Sequence, residues 1–367
     1  MEPLKNLYSK AFFKDLNSHI QKVVPGFDEK GFMKAIHDRN WEQEELKQRI
    51  RHVGNALHAF LPGNFKKQAK AIATISKNLI RSGAKENSFP FICLPDFIEV
   101  AGLDDFETSL DTMEIVTQFI SCEFAIRPFL LKDPEMVMKR MLGWSKHENY
   151  HVRRFSSEGC RPRLPWGKAI PAFKKDPSPI LPILENLRDD ESEFVRKSVA
   201  NNINDIAKDH PSIVLQLIQN WKGKSKRTDW ILKHGSRTLL RKADPEIYRH
   251  FGLSGSHDCE LENFKTDTKK VLPGGELNLG FGLKNRSKAE QLFRVELGVY
   301  YVKSSGGVSR KLFKITERIV ASGETVTFKR KLSFKDLTTR KHYPGRHRIV
   351  VVVNGVETGA TEITLLK

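Results

Sequence analysis

Hydrophobic positions recur along this chain with two different periods. From the N-terminus to about Gly252 they return every three or four residues, as in helices with one buried face. Beyond that point they alternate, as in half-buried strands. Ile36, Trp41, Leu46, Ile50, Val53, Leu57, Phe60 and Leu61 predict a helix over 37–61, stopped by Pro62-Gly63. A second is predicted over 66–80, and a strong one over 111–131. Asp133-Pro134, Asp176-Pro177, His210-Pro211 and Asp244-Pro245 then each place a proline at the first position of a helix, 43, 34 and 34 residues apart. A partner helix follows in three of these units, over 151–159, 194–202 and 230–238. Val152-Arg153 and Val195-Arg196 fall in register, and Ile126-Arg127 reads as an earlier copy. Two-helix units of this length are the pattern of HEAT-type repeats, which stack into a curved solenoid lined by the second helices.

The texture changes after Gly252. Residues 253–258 read as a linker. Alternating runs follow at 276–283, 292–302, 311–320, 325–334, 346–353 and 360–366, with Asn354-Gly355 as a hairpin turn. Six or seven short strands predict an antiparallel sandwich of immunoglobulin type. The expected fold is therefore multidomain, α then β. A HEAT-like helical solenoid occupies 1–252 and an immunoglobulin-like sandwich 260–367.

Charge adds a partner. The 367 residues carry a formal net charge of +18, which favours a polyanion such as nucleic acid. Residues 261–367 hold 21 Lys and Arg against 10 Asp and Glu, so the small β domain is the more basic per residue. The four cysteines are scattered and form no CxxC pair, which speaks against a zinc ribbon or a disulfide scaffold. Neither a bilayer-spanning apolar run nor a signal-peptide pattern is present, so a cytoplasmic chain is expected.

One stretch concentrates chemistry. Residues 151–166, HVRRFSSEGCRPRLPW, hold Arg153, Arg154, Arg161 and Arg163 around the single acid Glu158. A helix is expected to break at Gly159, Pro162 and Pro165, leaving Trp166 at an apolar corner. Guanidinium groups bind phosphate bidentately. No HExxH is present, and the His147/His151 pair with Glu148 lacks a third ligand. Phosphate-loop and dinucleotide fingerprints are missing, and no lysine stands out as a Schiff-base nucleophile. No metal, no cofactor and no lyase activity are expected.

The segments EFAIRPFL, HENYHVRRFSSEGCRPRLPWG and FVRKSVANNINDIAKDHP resemble the AlkC/AlkD family of bacterial DNA alkylation-repair glycosylases. The order of helical repeats and sandwich looks like the AlkC branch. The resemblance covers essentially the whole chain. It implies excision of cationic N3-methylcytosine and N3-methyladenine from double-stranded DNA by a monomeric, nucleoid-associated enzyme that uses no base-flipping pocket. It carries catalytic roles onto Glu123, Glu158 and Asp205, with Trp166 as the motif aromatic. On this reading Glu158 and Asp205 face the lesion sugar and hold the water, Glu123 supports them or contacts the charged base, and Trp166 packs on sugar or base.

Each has a plainer alternative. Glu123 would pair with Arg127 four residues on, and Glu158 with Arg154 or Arg161. Asp205 would be a solvated helix residue, and Trp166 a packed corner. Arg153, Arg154, Arg161, Arg163, Lys168, Arg196, Lys197, Asn201, Lys226, Arg227, Trp230, Lys233, Arg237 and Arg241 are the expected DNA contacts, setting register and affinity rather than sequence. The rival class is a non-catalytic HEAT-repeat DNA-binding or scaffold protein, which has no use for carboxylates in a basic groove.

Overall fold

The computed structural model describes residues 2–86, 88–253, 258–337 and 340–367. Most of the expected linker lies outside them. The chain divides into two compact units, Met1–Gly235 and Ser236–Lys367.

The first unit is helical. The helix expected over 37–61 is interrupted. Helix Glu29–Ile36 ends there, Trp41–Gln43 make one 3-10 turn, and helix Leu46–Phe60 begins behind a Glu45/Gln48 capping box. The break is fixed by Arg49, whose guanidinium lies 4.4 Å from the buried Trp41 ring and donates to the Trp41 carbonyl at 3.1 Å. The helix expected over 111–131 is also two helices, Phe106–Val116 and Ile126–Lys132. Pro128 explains why: it fits only the first turn of a helix, where its missing N–H leaves no bond unmade. Glu123 therefore sits in the connection between the two.

The prolines otherwise open helices as expected. Asp133 accepts from the Met136 amide to cap helix Pro134–Trp144, His210 precedes Pro211–Trp221, and Asp244 caps Pro245–His250. Asp176 differs, capping Ser178 and a 3-10 turn before helix Leu181–Leu187 starts. The second helices Tyr150–Gly159, Glu193–Ile206 and Lys226–Gly235 pack side by side in that order. Among the described residues no helix is long and apolar enough to cross a membrane.

The second unit begins earlier than the change of texture suggests, because helices Arg237–Arg241 and Pro245–His250 pack with the strands. Tyr248 donates its hydroxyl to the Leu240 carbonyl at 2.9 Å. The Asn354-Gly355 turn lies so close that a β-carbon on Gly355 would come within 2.6 Å of Ala243 and Tyr248. The strands are β1 Cys259–Thr266, β2 Lys270–Val271, β3 Glu276–Asn285, β4 Gln291–Val302, β5 Val308–Val320, β6 Thr325–Ser333, β7 Gly345–Val353 and β8 Val356–Leu365. They form two sheets, β1-β3-β6 and β2-β8-β7-β4-β5, antiparallel except for β2 against β8. Their facing sides bury Phe281, Phe293, Val295, Phe334, Ile349 and Val351. The sequence pattern hides β1 because a bulge between Glu262 and Lys265 breaks its alternation, and β2 because it has two residues.

Close helix approach is testable at Gly235, where a β-carbon would meet Ile203 at 2.8 Å. Gly235→Ala is expected to lower unfolding free energy by about 1–3 kcal/mol. Gly143→Ala, in open space on helix Pro134–Trp144, is expected to raise it by up to about 1 kcal/mol. Urea denaturation of both variants checks the opposite signs.

Candidate active site

Three carboxylates predicted from sequence come together through two arginines. Glu123 rises from the connection before Ile126–Lys132, Glu158 from the last turn of Tyr150–Gly159, and Asp205 from the last turn of Glu193–Ile206. Arg154 donates to Glu123 and lies 3.7 Å from Glu158. Arg161 donates to Glu158 at 2.6 Å and, through Nε, to Asp205 at 2.8 Å. Lys208 takes the other Asp205 oxygen at 2.8 Å. Ser121 donates to Glu123 at 2.8 Å and accepts from Arg154 at 2.6 Å. The result is one alternating line: Glu123, Arg154, Glu158, Arg161, Asp205, Lys208.

Burial grades along this line. The Glu123 side chain is 16% exposed, Glu158 6% and Asp205 2%. Both Asp205 oxygens are bonded, so Asp205 is not the solvated residue of the plainer alternative. Burial alone would push the Glu158 carboxyl up, but Arg154 and Arg161 outweigh it and hold it below the usual glutamate range. Burial likewise works against the Arg161 charge, and Glu158 and Asp205 reverse that to raise its pKa. These are ionised groups at neutral pH, fixed by one another.

Arg127 does not pair with Glu123. It is fully buried and its guanidinium reaches backbone carbonyls: Gly159 at 3.0 Å, Arg161 at 2.9 Å, and Lys168 through Nε. Burial lowers its pKa to about 10, so it stays charged at neutral pH. The sequence marked this residue only as a repeat position, and the repeat explains it. Arg153 grips the carbonyls of His147 at 3.0 Å and Glu148 at 2.7 Å, and Arg196 those of Asp190 at 2.8 Å and Glu191 at 2.7 Å. The Val-Arg arginines are loop clamps. Arg153 is further held by Asp190 at 2.6 Å. Arg153, Arg154, Arg161 and Arg196, expected at phosphates, are thus engaged inside the protein.

Other predicted cations remain at the surface. Lys168 is 63% exposed, and Lys197, Lys226 and Arg227 are exposed on their helices. Arg163 is tied bidentately to Asp209 at 2.7 and 3.1 Å. Trp230 is exposed and its ring stacks on His234, with centroids 5.0 Å apart. Asn201 and Lys233 are half-buried on their helices. Arg237 and Arg241 belong to the second unit.

Trp166 is no packed corner. It is 58% exposed and adopts a left-handed backbone with φ 66°. Few non-glycine residues hold that conformation without support. Lys47 supplies it, donating to the Trp166 carbonyl at 2.6 Å. Beside Trp166 lie Arg51, Asp96 and Glu99, which sequence reading passed over. Arg51 donates to Glu99 at 2.7 Å and lies 3.2 Å from Asp96. Burial pushes the Asp96 carboxyl up to about 7, with Arg51 opposing and Glu99 adding to the rise.

Two measurements follow. Arg127→Leu strands three carbonyls in the interior and is expected to cost about 3–5 kcal/mol in urea denaturation. Arg127→Lys rescues little, since an ammonium cannot span them as a planar fork does. Asp96 binds its proton more tightly folded than unfolded. Its contribution to stability is therefore full below about pH 4 and declines as pH rises to about 7. Asp96→Asn is expected to flatten that decline in the urea midpoint measured from pH 4 to 8.

The model of the family described as "DNA alkylation repair enzyme" matches residues 106–243, which contain all three carboxylates. That of the "Uncharacterised protein YhaZ, C-terminal Ig-like domain" matches residues 260–367, so the sandwich is immunoglobulin-like. The "Uncharacterized protein YhaZ" of Bacillus subtilis (strain 168) is 41% identical over 355 residues, 97% of each chain. The solved structure of the Pseudomonas fluorescens alkylpurine DNA glycosylase AlkC, bound to DNA containing an abasic site analog, is 34% identical and superposes with a TM-score of 0.93 over 100% of both chains. Sharing that whole-length identity and that whole fold, the chain belongs to the AlkC-type branch of the AlkC/AlkD family of HEAT-like DNA alkylation-repair glycosylases.

Proposed function

We propose that this chain is a monofunctional DNA glycosylase that hydrolyses the N-glycosidic bond of cationic N3-methylcytosine and N3-methyladenine in duplex DNA. The observation that carries the reading is the line of carboxylates inside a basic protein. A binder of phosphate gains nothing from anions there. A glycosylase needs them, because loss of the base leaves positive charge at the sugar C1′.

The cationic base is already a good leaving group, so little acid catalysis is required of the protein. Fixed carboxylates stabilise the developing oxocarbenium, and one orients or deprotonates the attacking water. Glu123, the most open of the three, is best placed for that water. Glu158 backs it, and Asp205 acts through Arg161 as a positioning residue. This order departs from the sequence expectation, which set Glu158 and Asp205 nearest the sugar. Trp166 offers an exposed ring to the lesion, with a cation–π gain of about 0.5–2 kcal/mol. Because the acids act on the sugar, the base need not enter a pocket for the bond to break. Lys208, the lysine nearest the acids, is tied to Asp205 at 2.8 Å, which suits hydrolysis rather than Schiff-base chemistry.

The AlkC relative was solved on DNA, and we extend that partner to this chain. Lys168, Lys197, Lys226 and Arg227 are the phosphate contacts in the helical unit, with Trp230 beside them. Each neutralised phosphate contributes about −0.9 to the log–log salt slope of binding. The sandwich, with its excess of cations, grips the same duplex.

A single-turnover assay on a duplex with one N3-methylcytosine, followed by alkaline cleavage, tests the reading. Glu123→Gln and Glu158→Gln are each expected to lose about 10²–10³ in rate while keeping duplex affinity. Wild-type protein that binds N3-methylcytosine and N3-methyladenine duplexes and leaves them intact would return the chain to the class of binding modules.

A further inference from the structure

A cavity of about 210 Å³ opens beside Trp166 in the helical unit. It is smaller than the roughly 300–1,000 Å³ of sites for drug-sized ligands, and it suits something the size of one nucleobase. Its walls are apolar and aromatic: Phe89, Phe124, Trp166 and Ile50. Phe89 and Trp166 stand edge to face with centroids 6.4 Å apart. Its polar end holds Arg51, Asp96, Glu99 and Lys168. Ser121 also lines it, and Ser121 is hydrogen-bonded to Glu123. The cavity therefore adjoins the most open of the three carboxylates.

The charge of this cavity selects among ligands. Asp96 and Glu99 are both within salt-bridge reach of Arg51, and Glu99 is 3.8 Å from Lys168. Neither acid is left to attract a further cation. The second Asp96 side-chain oxygen, Oδ2, is buried against Gly54 and is closed to an occupant of the cavity. A planar neutral ligand with both donors and acceptors on its edge matches this end, and aromatic faces match the walls.

We propose that the cavity is a product site that receives the excised base in its neutral form. The identity of the occupant rests on the glycosylase reading. When the C1′–N bond breaks, its electron pair goes to the base nitrogen and the cationic base becomes neutral. That nitrogen gains a lone pair that Arg51 or Lys168 can donate to, and an exocyclic amino group donates to Glu99. The charged base still joined to sugar meets acids whose charge Arg51 and Lys168 already balance. Entry follows cleavage, so the site demands no extrusion of an intact nucleotide. Removing the free base from C1′ also keeps it from recombining with the sugar cation.

The test is calorimetric titration of the full chain with 3-methyladenine, and with 3,9-dimethyladenine as a permanently cationic analogue of the glycoside. The neutral base is expected to bind with a Kd of about 1 mM or tighter and about tenfold tighter than the cation. Leu46 and Ile50 line the cavity and are half-buried, so Leu46→Trp and Ile50→Trp fill it from two positions. Each is expected to weaken 3-methyladenine at least about tenfold. Absence of binding to wild type, equal binding of the cation, or wild-type affinity in both filled variants overturns the proposal. The lesion-duplex assay separates the two readings. Cleavage without base binding removes the product site alone, whereas base binding without cleavage removes the glycosylase and leaves the cavity as a base-binding site.

Discussion

The site depends on one buried guanidinium. Arg127 has no exposed surface and, among the described residues, no carboxylate in salt-bridge reach; it holds the carbonyls of Gly159, Arg161 and Lys168. Those carbonyls bracket the segment that leaves helix Tyr150–Gly159 and turns at Trp166. Pro162 and Pro165 deny this segment regular helical bonding, so its backbone acceptors need another donor. A guanidinium can satisfy several at once from a fixed planar geometry. Removing it from water carries a large penalty, visible in a pKa lowered to about 10. What it gains is a rigid loop, with Glu158 and Arg161 on one side and Trp166 on the other. The same device recurs with less burial at Arg153 and Arg196, each clamping the carbonyls five and six residues back.

Rigidity of that loop lets Glu158 stay charged while largely withdrawn from water. Alone, it would neutralise on burial. Placement between Arg154 and Arg161 prevents this and holds Glu158 ionised against a strong burial effect. On the proposed glycosylase reading, the arrangement would supply negative charge that does not have to reorganise when positive charge appears on a substrate. It also explains why so few arginines of the 151–166 stretch remain for phosphate. Their charge is used to keep the acids charged, and the solvent-facing lysines are left for a polyanion.

Much of this was legible in the chain itself. The change of period near Gly252 marks the passage from helices to strands, and the prolines after Asp133, His210 and Asp244 mark helix starts. Sequence motifs identified the three acids, which the structure joins in one network. What the sequence did not disclose was pairing over distance. Nothing local tells Arg127 to ignore Glu123, four residues back, in favour of carbonyls more than thirty residues ahead, because the choice depends on a break after Val116 that only Pro128 hints at. The same limit hid the cavity, whose walls come from four separate stretches between Leu46 and Lys168. The boundary between units was blurred for a related reason: residues 236–250 look helical, yet they pack on a sheet.

Linking the acids through shared arginines has a further consequence. Glu158 touches both Arg154 and Arg161, so a change there takes one partner from each of two cations, whereas a change at Glu123 takes one from Arg154 alone. Effects at the three acids therefore cannot add. A double substitution of Glu158 with Asp205 removes both carboxylates of Arg161 together. It leaves a buried cation with no counter-charge, a larger disturbance than the two single losses suggest. Stability and rate are coupled through the same bonds, and each acid must be judged by rate measured at saturating duplex on protein known to be folded. The central position of Glu158, rather than its distance from any substrate, makes it the residue on which the others converge.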